Sequence, residues 1–278
     1  MPPTSAAEPP SAPAVAVADA PAPSSQFRAE PAQAPVVSTG PATTGGAEWN
    51  VHSSLELLEE LYNYNHWLFN KVRPFLRGHV CEVGSGTGKV TQFLLNHERV
   101  VGIEPFACSL QTARQRFAQH LNVEFVCCRL EDCPNEQVPA HRFDTVACLN
   151  VLEHIRDDVG ALVSMRRLLR PRGRGVVLVP AHMSIYGQID LSFGHYRRYT
   201  RRALRLAFAQ AGLRVTYNLY LNAFGWFGWL WHSRIRRRTQ IPLAAARTFN
   251  RLVPFIDVLE RVLPPPFGQS LVMVGRPR

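Results

Sequence analysis

The sequence predicts an α/β protein with a mostly parallel sheet and helices on both faces of that sheet. Three observations support this prediction. From residue 79 onward, short apolar segments of strand length alternate with segments of helical periodicity. A turn with three glycines, residues 84–88, follows the first apolar segment directly. Polar residues close the next strand-like segments, as expected where parallel strands end together at one edge of a sheet.

Each element is predicted from its own pattern. Strands are predicted from short apolar runs bounded by turn residues, at 79–83, 100–103, 123–127, 143–149, 175–180, 213–219 and 270–274. Helices are predicted where apolar residues recur at helical spacing, at 89–96, 109–120, 157–169 and 200–211. A helix, or a pair of helices, is also predicted from Ser53 or Ser54 towards Pro74, because either serine can cap a helix in which leucines then recur.

The composition divides the chain into a tail and a globular domain. Residues 1–46 contain ten prolines and twelve alanines and almost no large apolar side chains. Such a segment cannot bury enough surface to offset its ordering entropy. The sequence therefore predicts a disordered tail over 1–46 and one domain over 47–278. Within that domain, residues 222–268 are predicted to form a cap inserted between the last two strands.

The charge and the cysteines exclude some classes of protein and leave others open. The formal net charge is +10, and residues 151–278 hold 21 arginines against six acids. Such a surface attracts nucleic acid, anionic lipid or an acidic small molecule, or is simply solvated. No apolar run reaches the roughly 18 residues that span a bilayer, and no signal peptide is recognised at the start. The six cysteines form no CxxC pair, which predicts a cytoplasmic protein with buried reduced thiols and no metal site.

Three kinds of nucleotide site compete for the glycine turn. A P-loop requires a first glycine separated from Gly88 by four residues, where Val83 stands, and a Ser or Thr after Lys89, where Val90 stands, so that interpretation fails. A dinucleotide fold prefers Gly-x-Gly-x-x-Gly and places a pyrophosphate beside the turn. The glycines at 84, 86 and 88 are one residue short of that spacing, and Glu82 would repel the pyrophosphate.

The third interpretation is S-adenosylmethionine, whose sulfonium and amino group are cationic and tolerate Glu82. Glu104 ends the second strand and is suited to accept hydrogen bonds from two ribose hydroxyls. Glu131 and Asp132 follow the third strand, where either can border the adenine. Asn150 follows the fourth strand, at the methionine end.

The motifs resemble those of a known family. VCEVGSGTGKVTQFL, VVGIEP, CRLEDCP and FDTVACLNVLEHI resemble, in this order, the motifs of class I S-adenosylmethionine-dependent methyltransferases. YNYNHWLFNKVRPFLRGHVCEVG, DLSFGHYRRYTRRALR and PFGQSLVMVGR are similar to a bacterial subgroup of small-molecule methyltransferases of the type 11/12 kind. The resemblance covers residues 51–278. It implies a Rossmann-like, seven-stranded sheet whose last strand is antiparallel. It also implies cofactor contacts from residues at and after the strand ends: Glu82, Gly84, Ser85, Gly86, Glu104, Glu131, Asp132 and Asn150.

The acceptor side offers two candidate bases. A hydroxyl acceptor must lose its proton, and histidine is suited to take it. His195 lies in the loop after the fifth strand and is predicted to be the base or a ligand of the acceptor. His154 follows the fourth strand beside the cofactor, where a helix-capping or supporting role explains it equally well. Asp190, Tyr196 and Arg197 of the same loop, together with Tyr64 and Trp67, are the candidate substrate-binding residues. Solvent exposure is the alternative for Arg197 and Arg198.

The segment 222–238 combines tryptophans with arginines and permits three interpretations. It is an insertion packed on the core, a lid over an apolar acceptor, or a site of transient membrane contact through residues 223–238.

Three functions follow from these residues. The first is methyl transfer to a hydroxyl or amine of a small molecule such as a sugar, a lipid-linked glycan or a secondary metabolite. The second is RNA methylation by the basic half. The segment 150–153 lacks the Asn/Asp-Pro-Pro-Tyr-like pattern of base-modifying enzymes, however, and no RNA-binding appendage is recognised. The third is a non-catalytic module that only binds S-adenosylmethionine. The sequence thus predicts a small-molecule acceptor and no nucleic-acid partner, and it leaves the oligomeric state open.

Overall fold

A computed structural model describes residues 61–278 of the chain. Within these residues one seven-stranded sheet has the order β3-β2-β1-β4-β5-β7-β6. Its strands are β1 His79–Val83, β2 Arg99–Glu104, β3 Val123–Cys127, β4 Phe143–Leu149, β5 Leu169–Pro180, β6 Leu213–Leu221 and β7 Ser270–Pro277. β7 pairs antiparallel with both β5 and β6, and the pairs among β1 to β5 are parallel. The predicted fold class is confirmed, whereas the tail over 1–46 and the start of the first helix lie outside the described residues.

Helices cover both faces of the sheet. They are α1 Tyr62–Val72, α2 Ala107–Arg116, α3 Asp158–Leu168, α4 Gln188–Ser192, α5 Arg201–Gln210, α6 Ala223–Trp229 and α7 Leu243–Val262, with a π-helix at Leu230–Ile235. Neighbouring residues of a strand point to opposite faces. Met273 of β7 therefore packs in one core with α3 and α5, and Val272 packs in the other core with α1 and α7.

The helix predicted over 89–96 is wrong. This segment consists of turns and one short 3₁₀ helix, Thr91–Phe93. Most of its backbone bonds join residues three apart, such as Phe93 N–H to the Val90 carbonyl at 2.9 Å and His97 N–H to the Leu94 carbonyl at 2.9 Å. The side chain of Thr91 points into the core, where its hydroxyl donates to Glu82 at 2.6 Å. This tertiary contact holds the segment against β1. The segment forms tight turns there in place of a regular α-helix.

A proline in the cap helps to join it to the first helix. Pro254 lies inside α7 and has no N–H, so it leaves the carbonyl of Asn250 without its helical donor. The Asn63 amide of α1 donates to that carbonyl at 3.1 Å. Lys71 and Asp257 add an ion pair of 2.7 Å between the same two helices. The long helix of the predicted cap is thus packed on the sheet through α1.

The described residues test two predictions, one about membrane-spanning segments and one about the burial of the cysteines. No helix among residues 61–278 combines the length and apolarity needed to cross a bilayer. All six cysteines are free thiols, but Cys108 and Cys127 are exposed, contrary to the prediction of buried thiols. Cys127 is exposed because β3 is an edge strand with only partly covered faces.

Candidate active site

A cavity of about 1340 Å³ opens at the carboxyl ends of the parallel strands. This is the edge where an open α/β sheet binds ligands. Nine of the predicted site residues line it: Tyr64, Gly84, Gly86, Glu104, Glu131, Asn150, His154, His195 and Tyr196. The sheet therefore brings the predicted cofactor and acceptor residues together in one cavity.

The glycine turn forms the floor of the cavity and requires glycine at two positions. Gly84 has a φ of +72°, and a Cβ there would lie 2.4 Å from Cγ2 of Val151. Gly86 has a φ of +53°, and a Cβ there would meet no atom within 4 Å. The backbone at Gly86 thus faces open space, which lets a ligand approach the main chain closely.

Glu104 lies at the end of β2 with its carboxylate in the cavity wall. Its Oε2 accepts from the N–H of Gly86 at 3.0 Å and its Oε1 from the N–H of Phe106 at 3.3 Å. Burial raises the pKa of Glu104, and the two backbone donors oppose that rise. A carboxylate held in this way retains lone pairs for further donors such as vicinal hydroxyls.

Three predicted cofactor residues do not line the cavity. The carboxyl of Glu82 is buried behind the turn, where burial raises its pKa to about 8 and the hydroxyl of Thr91 donates to it. Ser85 is buried against the second strand, and a Cβ on Gly102 would approach its Cβ to 2.9 Å. Of the pair after the third strand, Glu131 faces the cavity and Asp132 does not. Glu82 and Ser85 therefore support the turn from behind.

Asp190 and His195 form the centre of the acceptor end. Asp190 is fully buried, and its Oδ1 lies 3.0 Å from Nδ1 of His195 and 2.7 Å from Nε of Arg198. Its Oδ2 accepts from Nε1 of Trp229 and the N–H of Gly187, each at 3.0 Å. Burial acts to raise the pKa of Asp190, but the His195 hydrogen bond and the Arg198 charge outweigh it and lower that pKa. Asp190 therefore contacts His195 and does not line the cavity, contrary to its prediction as a substrate ligand.

The hydrogen bond to Asp190 assigns the tautomer of His195. Since an ionised carboxylate only accepts, Nδ1 carries a proton, and in the neutral ring Nε2 is then the atom with the lone pair. The ring of His154 lies edge-on to that of His195, with centroids 4.8 Å apart. Solvent in the cavity reaches His154, but the cavity wall removes much of the water around its ring. This desolvation and the nearby His195 both lower the pKa of His154, and they outweigh its hydrogen bond to Gly194, which acts to raise it. His154 is accordingly neutral.

Glu153 is a cavity residue that the sequence analysis did not select. It is 1% exposed, and its Oε2 has no hydrogen-bond partner among the described residues. Burial raises its pKa to about 8. One ligand atom from each of Glu153, His154 and His195 lies within 4.8 Å of the others. Two imidazoles and a carboxyl group are also a donor set suited to a transition metal, although the sequence predicts none.

The two arginines of the loop after β5, for which the sequence left the same alternatives open, occupy different places in the structure. Arg197, predicted to bind substrate, donates to the carbonyl of Arg156 at 2.6 Å and pairs with Asp158 at 3.0 Å. Arg198 is 3% exposed and lines the cavity beside Asp190. The chain is extended here, so Arg197 and Tyr199 both reach Asp158 while Arg198 points the other way. This alternation is a signal that the sequence already contained.

Two aromatic residues also differ from prediction. Trp67, predicted to bind substrate, is 2% exposed and packs in the core of α1 and α7. Trp229 of the cap was not selected, yet it lines the cavity, and the Arg198 guanidinium lies 4.6 Å from its ring centroid. Its place in the site depends on a contact across 39 residues of sequence, which no local pattern reveals.

Comparison with known proteins finds similarity in the part of the chain that contains the glycine turn. Residues 81–174 match a family model described as a methyltransferase domain. A ubiquinone biosynthesis O-methyltransferase of Coxiella burnetii is 29% identical over 98 residues, which is 34% of this chain and 41% of that protein. The chain thus matches about two fifths of the length of this curated relative.

Solved structures share the fold. A chain in the complex of the Haloferax volcanii Trm112 methyltransferase activator with a methyltransferase has a TM-score of 0.56 at 18% identity, over 86% of this chain and 100% of that chain. The geranyl diphosphate C-methyltransferase of Streptomyces coelicolor, solved with S-adenosyl-L-homocysteine, has a TM-score of 0.55 at 13% identity, over 76% and 77%.

Proposed function

We propose that this protein, which carries a class I S-adenosylmethionine-dependent methyltransferase domain, methylates a hydroxyl group of a small molecule with His195 as the general base. S-adenosylmethionine is the cofactor of the domain. When bound, it supplies a methyl group on a sulfonium, which an acceptor atom placed in line can attack. One observation supports the proposal: the glycine turn and His195 line the same cavity.

The cavity wall fits this cofactor at the strand ends. The open backbone at Gly86 allows close approach, and the carboxylate of Glu104 is held facing the cavity by two backbone N–H groups. We assign Glu104 to the ribose hydroxyls, Glu131 to the adenine side and Asn150 to the methionine end. Glu82 supports the turn through Thr91 and makes no direct contact in this assignment.

His195 is better suited than His154 to remove the proton of the acceptor. Nε2 of His195 takes that proton, and the buried Asp190 stabilises the charged imidazole that results. His154 has a lowered pKa and no carboxylate partner among its described contacts, so its neutral ring is a weaker base. It instead fixes the loop by its hydrogen bond to Gly194.

The acceptor is a small molecule. The cavity exceeds the 300–1,000 Å³ typical of a single ligand site, so it has room for two ligands. Its acceptor end combines the rings of Tyr64, Tyr196 and Trp229 with the charge of Arg198. The O-methyltransferase names of the curated relatives favour a hydroxyl over an amine. A sugar, a glycolipid or a hydroxylated secondary metabolite fits this description.

The domain limits complete the proposal. We assign residues 47–278 to the methyltransferase domain and 1–46 to a tail that the reaction does not need. Residues 222–268 form the cap, from which Trp229 and Ile241 reach the cavity.

Calorimetry and product analysis test the function in two steps. Calorimetric titration of the full chain with S-adenosylmethionine should show binding, and Glu104→Ala should weaken it strongly. Incubation with S-adenosylmethionine and a panel of phenols, sugars and glycolipids should then release S-adenosylhomocysteine with at least one acceptor. His195→Ala should abolish that release and keep cofactor binding, whereas His120→Ala, an exposed histidine outside the cavity, should behave as wild type. Full activity of His195→Ala would refute the base assignment, and a folded protein that binds no S-adenosylmethionine would refute the cofactor site.

A further inference from the structure

The cap carries an exposed apolar stripe that the proposed reaction does not use. Leu252, Phe255, Leu259 and Val262 recur at helical spacing on α7 and are between 48% and 81% exposed. Single exposed apolar side chains are common on proteins, but a contiguous set of them marks an interaction surface. The opposite side of the same helix packs on α1 through Val253 and Ile256, so the stripe faces away from the core.

A second exposed stripe lies on the segment before α7. Phe224, Phe227 and Trp231 are each about half exposed. The carboxylate of Glu260 in α7 accepts from the N–H groups of Asn222 and Ala223, at 3.0 and 2.9 Å, and so ties the start of α6 to the end of α7. We name the two stripes together the cap outer face; its residues are Phe224, Phe227, Trp231, Leu252, Phe255, Leu259 and Val262.

The charged residues of the segment that carries the cap outer face are almost all basic. Residues 223–263 contain seven arginines and two acids. Both acids are already engaged, since Asp257 pairs with Lys71 and Arg261 while Glu260 binds backbone N–H groups. The guanidinium of Arg236 lies 4.8 Å from the ring centroid of Trp231. Apolar side chains bordered by arginines and a tryptophan are complementary to the boundary between lipid headgroups and acyl chains.

We propose that the cap outer face docks on a membrane surface that contains anionic lipid. The phenylalanines and aliphatic side chains enter the acyl boundary, and the arginines contact lipid phosphates. A second copy of the chain is a poorer partner, because it would bring two arginine-rich surfaces together. A nucleic acid would pair with the arginines but leave Leu259 and Val262 without apolar contacts. Trp229 lines the cavity two residues before Trp231, so the docking surface adjoins the site.

Vesicle sedimentation of the full chain tests this proposal, and it requires no methyl acceptor. The wild type should sediment with phosphatidylcholine vesicles that contain phosphatidylglycerol and should bind vesicles of phosphatidylcholine alone much less. The variant Phe255→Ser/Val262→Ser should weaken binding by about tenfold or more, since two large apolar side chains no longer leave water for the acyl boundary. Arg237→Glu/Arg238→Glu should also weaken it, and more so at low salt.

Matched controls separate docking from folding and from methyl transfer. Leu121→Ser removes a side chain that is 97% exposed and outside the cap, and it should bind vesicles as wild type does. All variants should keep their affinity for S-adenosylmethionine in calorimetry. Three results would overturn the proposal: no binding to anionic vesicles, equal binding by Phe255→Ser/Val262→Ser, or a wild-type dimer that this variant disperses in place of vesicle binding. Equal binding would identify the arginines as a site for polyanions.

Discussion

The Nδ1 atom of His195 lies 3.0 Å from Oδ1 of Asp190, a carboxylate that is completely buried. The same oxygen is 2.7 Å from Nε of Arg198, which is itself almost fully buried. The carboxylate therefore orients the imidazole, while the guanidinium compensates the negative charge that burial would otherwise make costly. Orientation of the proposed base and stability of the loop thus depend on the same buried charge pair.

Asp190→Asn keeps the shape of this side chain and removes its charge. We expect turnover to fall by about 10²-fold or more, because the imidazolium loses its partner and the tautomer is no longer fixed. We also expect a loss of about 3–5 kcal/mol in unfolding free energy, since Arg198 is left buried without a counter-charge. Steady-state kinetics and urea unfolding measure the two effects. Cofactor affinity should not change, because Asp190 lies outside the cavity wall.

Arg197→Ala is the matched control for that experiment. Arg197 pairs with Asp158 at a partly exposed position, where an ion pair contributes about 0–1 kcal/mol. Turnover and unfolding free energy should both stay near wild type. A large loss of turnover in Arg197→Ala with normal stability would restore Arg197 as an acceptor ligand and contradict the assignment of Arg198.

The two glycines of the turn should respond differently to alanine. Gly84→Ala meets a left-handed backbone, which costs roughly 1–2 kcal/mol, and a clash with Val151. We expect it to lower the unfolding free energy and the affinity for S-adenosylmethionine. Gly86→Ala has a similar backbone but open space for its methyl group, so it should lose affinity with a smaller loss of stability. Urea unfolding and calorimetry separate these outcomes.

A double variant isolates the steric part of the Gly84 effect. Val151→Ala removes the two methyl groups that the new Cβ would approach most closely. Gly84→Ala should therefore lower the unfolding free energy less when it is added to the Val151→Ala variant than when it is added to the wild type. Strict additivity of the two substitutions would show that only the backbone, and not contact with Val151, requires glycine at position 84.

The sequence predicts elements well where local pattern and tertiary role agree. β1, β3 and β4 have the predicted bounds, because each is a short apolar run closed by polar or turn residues. The segment after Gly88 fails because Thr91 turns inward to Glu82, a contact that helical spacing does not encode. At the site, Glu104 and His195 follow from motif and strand order. Trp229 does not, since its position depends on how the cap folds back over the sheet.

The stability of the protein should fall as the pH rises from about 7 to 8. Burial raises the pKa of both Glu82 and Glu153 to about 8, above the value of 4.5 expected for an exposed carboxyl. Between pH 7 and 8 both carboxyl groups are ionised in the unfolded chain, whereas in the folded chain both are still partly protonated. The unfolded chain therefore binds fewer protons, and raising the pH favours unfolding. The lowered pKa of His154 acts the other way but only below about pH 6.5.

Glu82→Gln tests which group causes this slope. Glutamine keeps an oxygen for the hydroxyl of Thr91 and cannot ionise. Urea unfolding without cofactor at several pH values should show a slope reduced by roughly half, because Glu153 remains. An unchanged slope would mean that Glu82 is already ionised in the folded protein.

Removal of divalent metal should leave methyl transfer intact. Three donor atoms, one each from Glu153, His154 and His195, lie within 4.8 Å of one another. A metal ion bound there would occupy the nitrogen of His195 that is proposed to take the proton of the acceptor. A metal ligand must be deprotonated, whereas burial keeps the pKa of Glu153 at about 8 and leaves this carboxyl mostly neutral at pH 7. We therefore expect protein dialysed against a chelator to contain less than one metal ion per chain by mass spectrometry and to keep its turnover. Turnover lost on chelation and restored by Zn²⁺ or Mn²⁺ would make His195 a metal ligand, and the proton of the acceptor would then need another base.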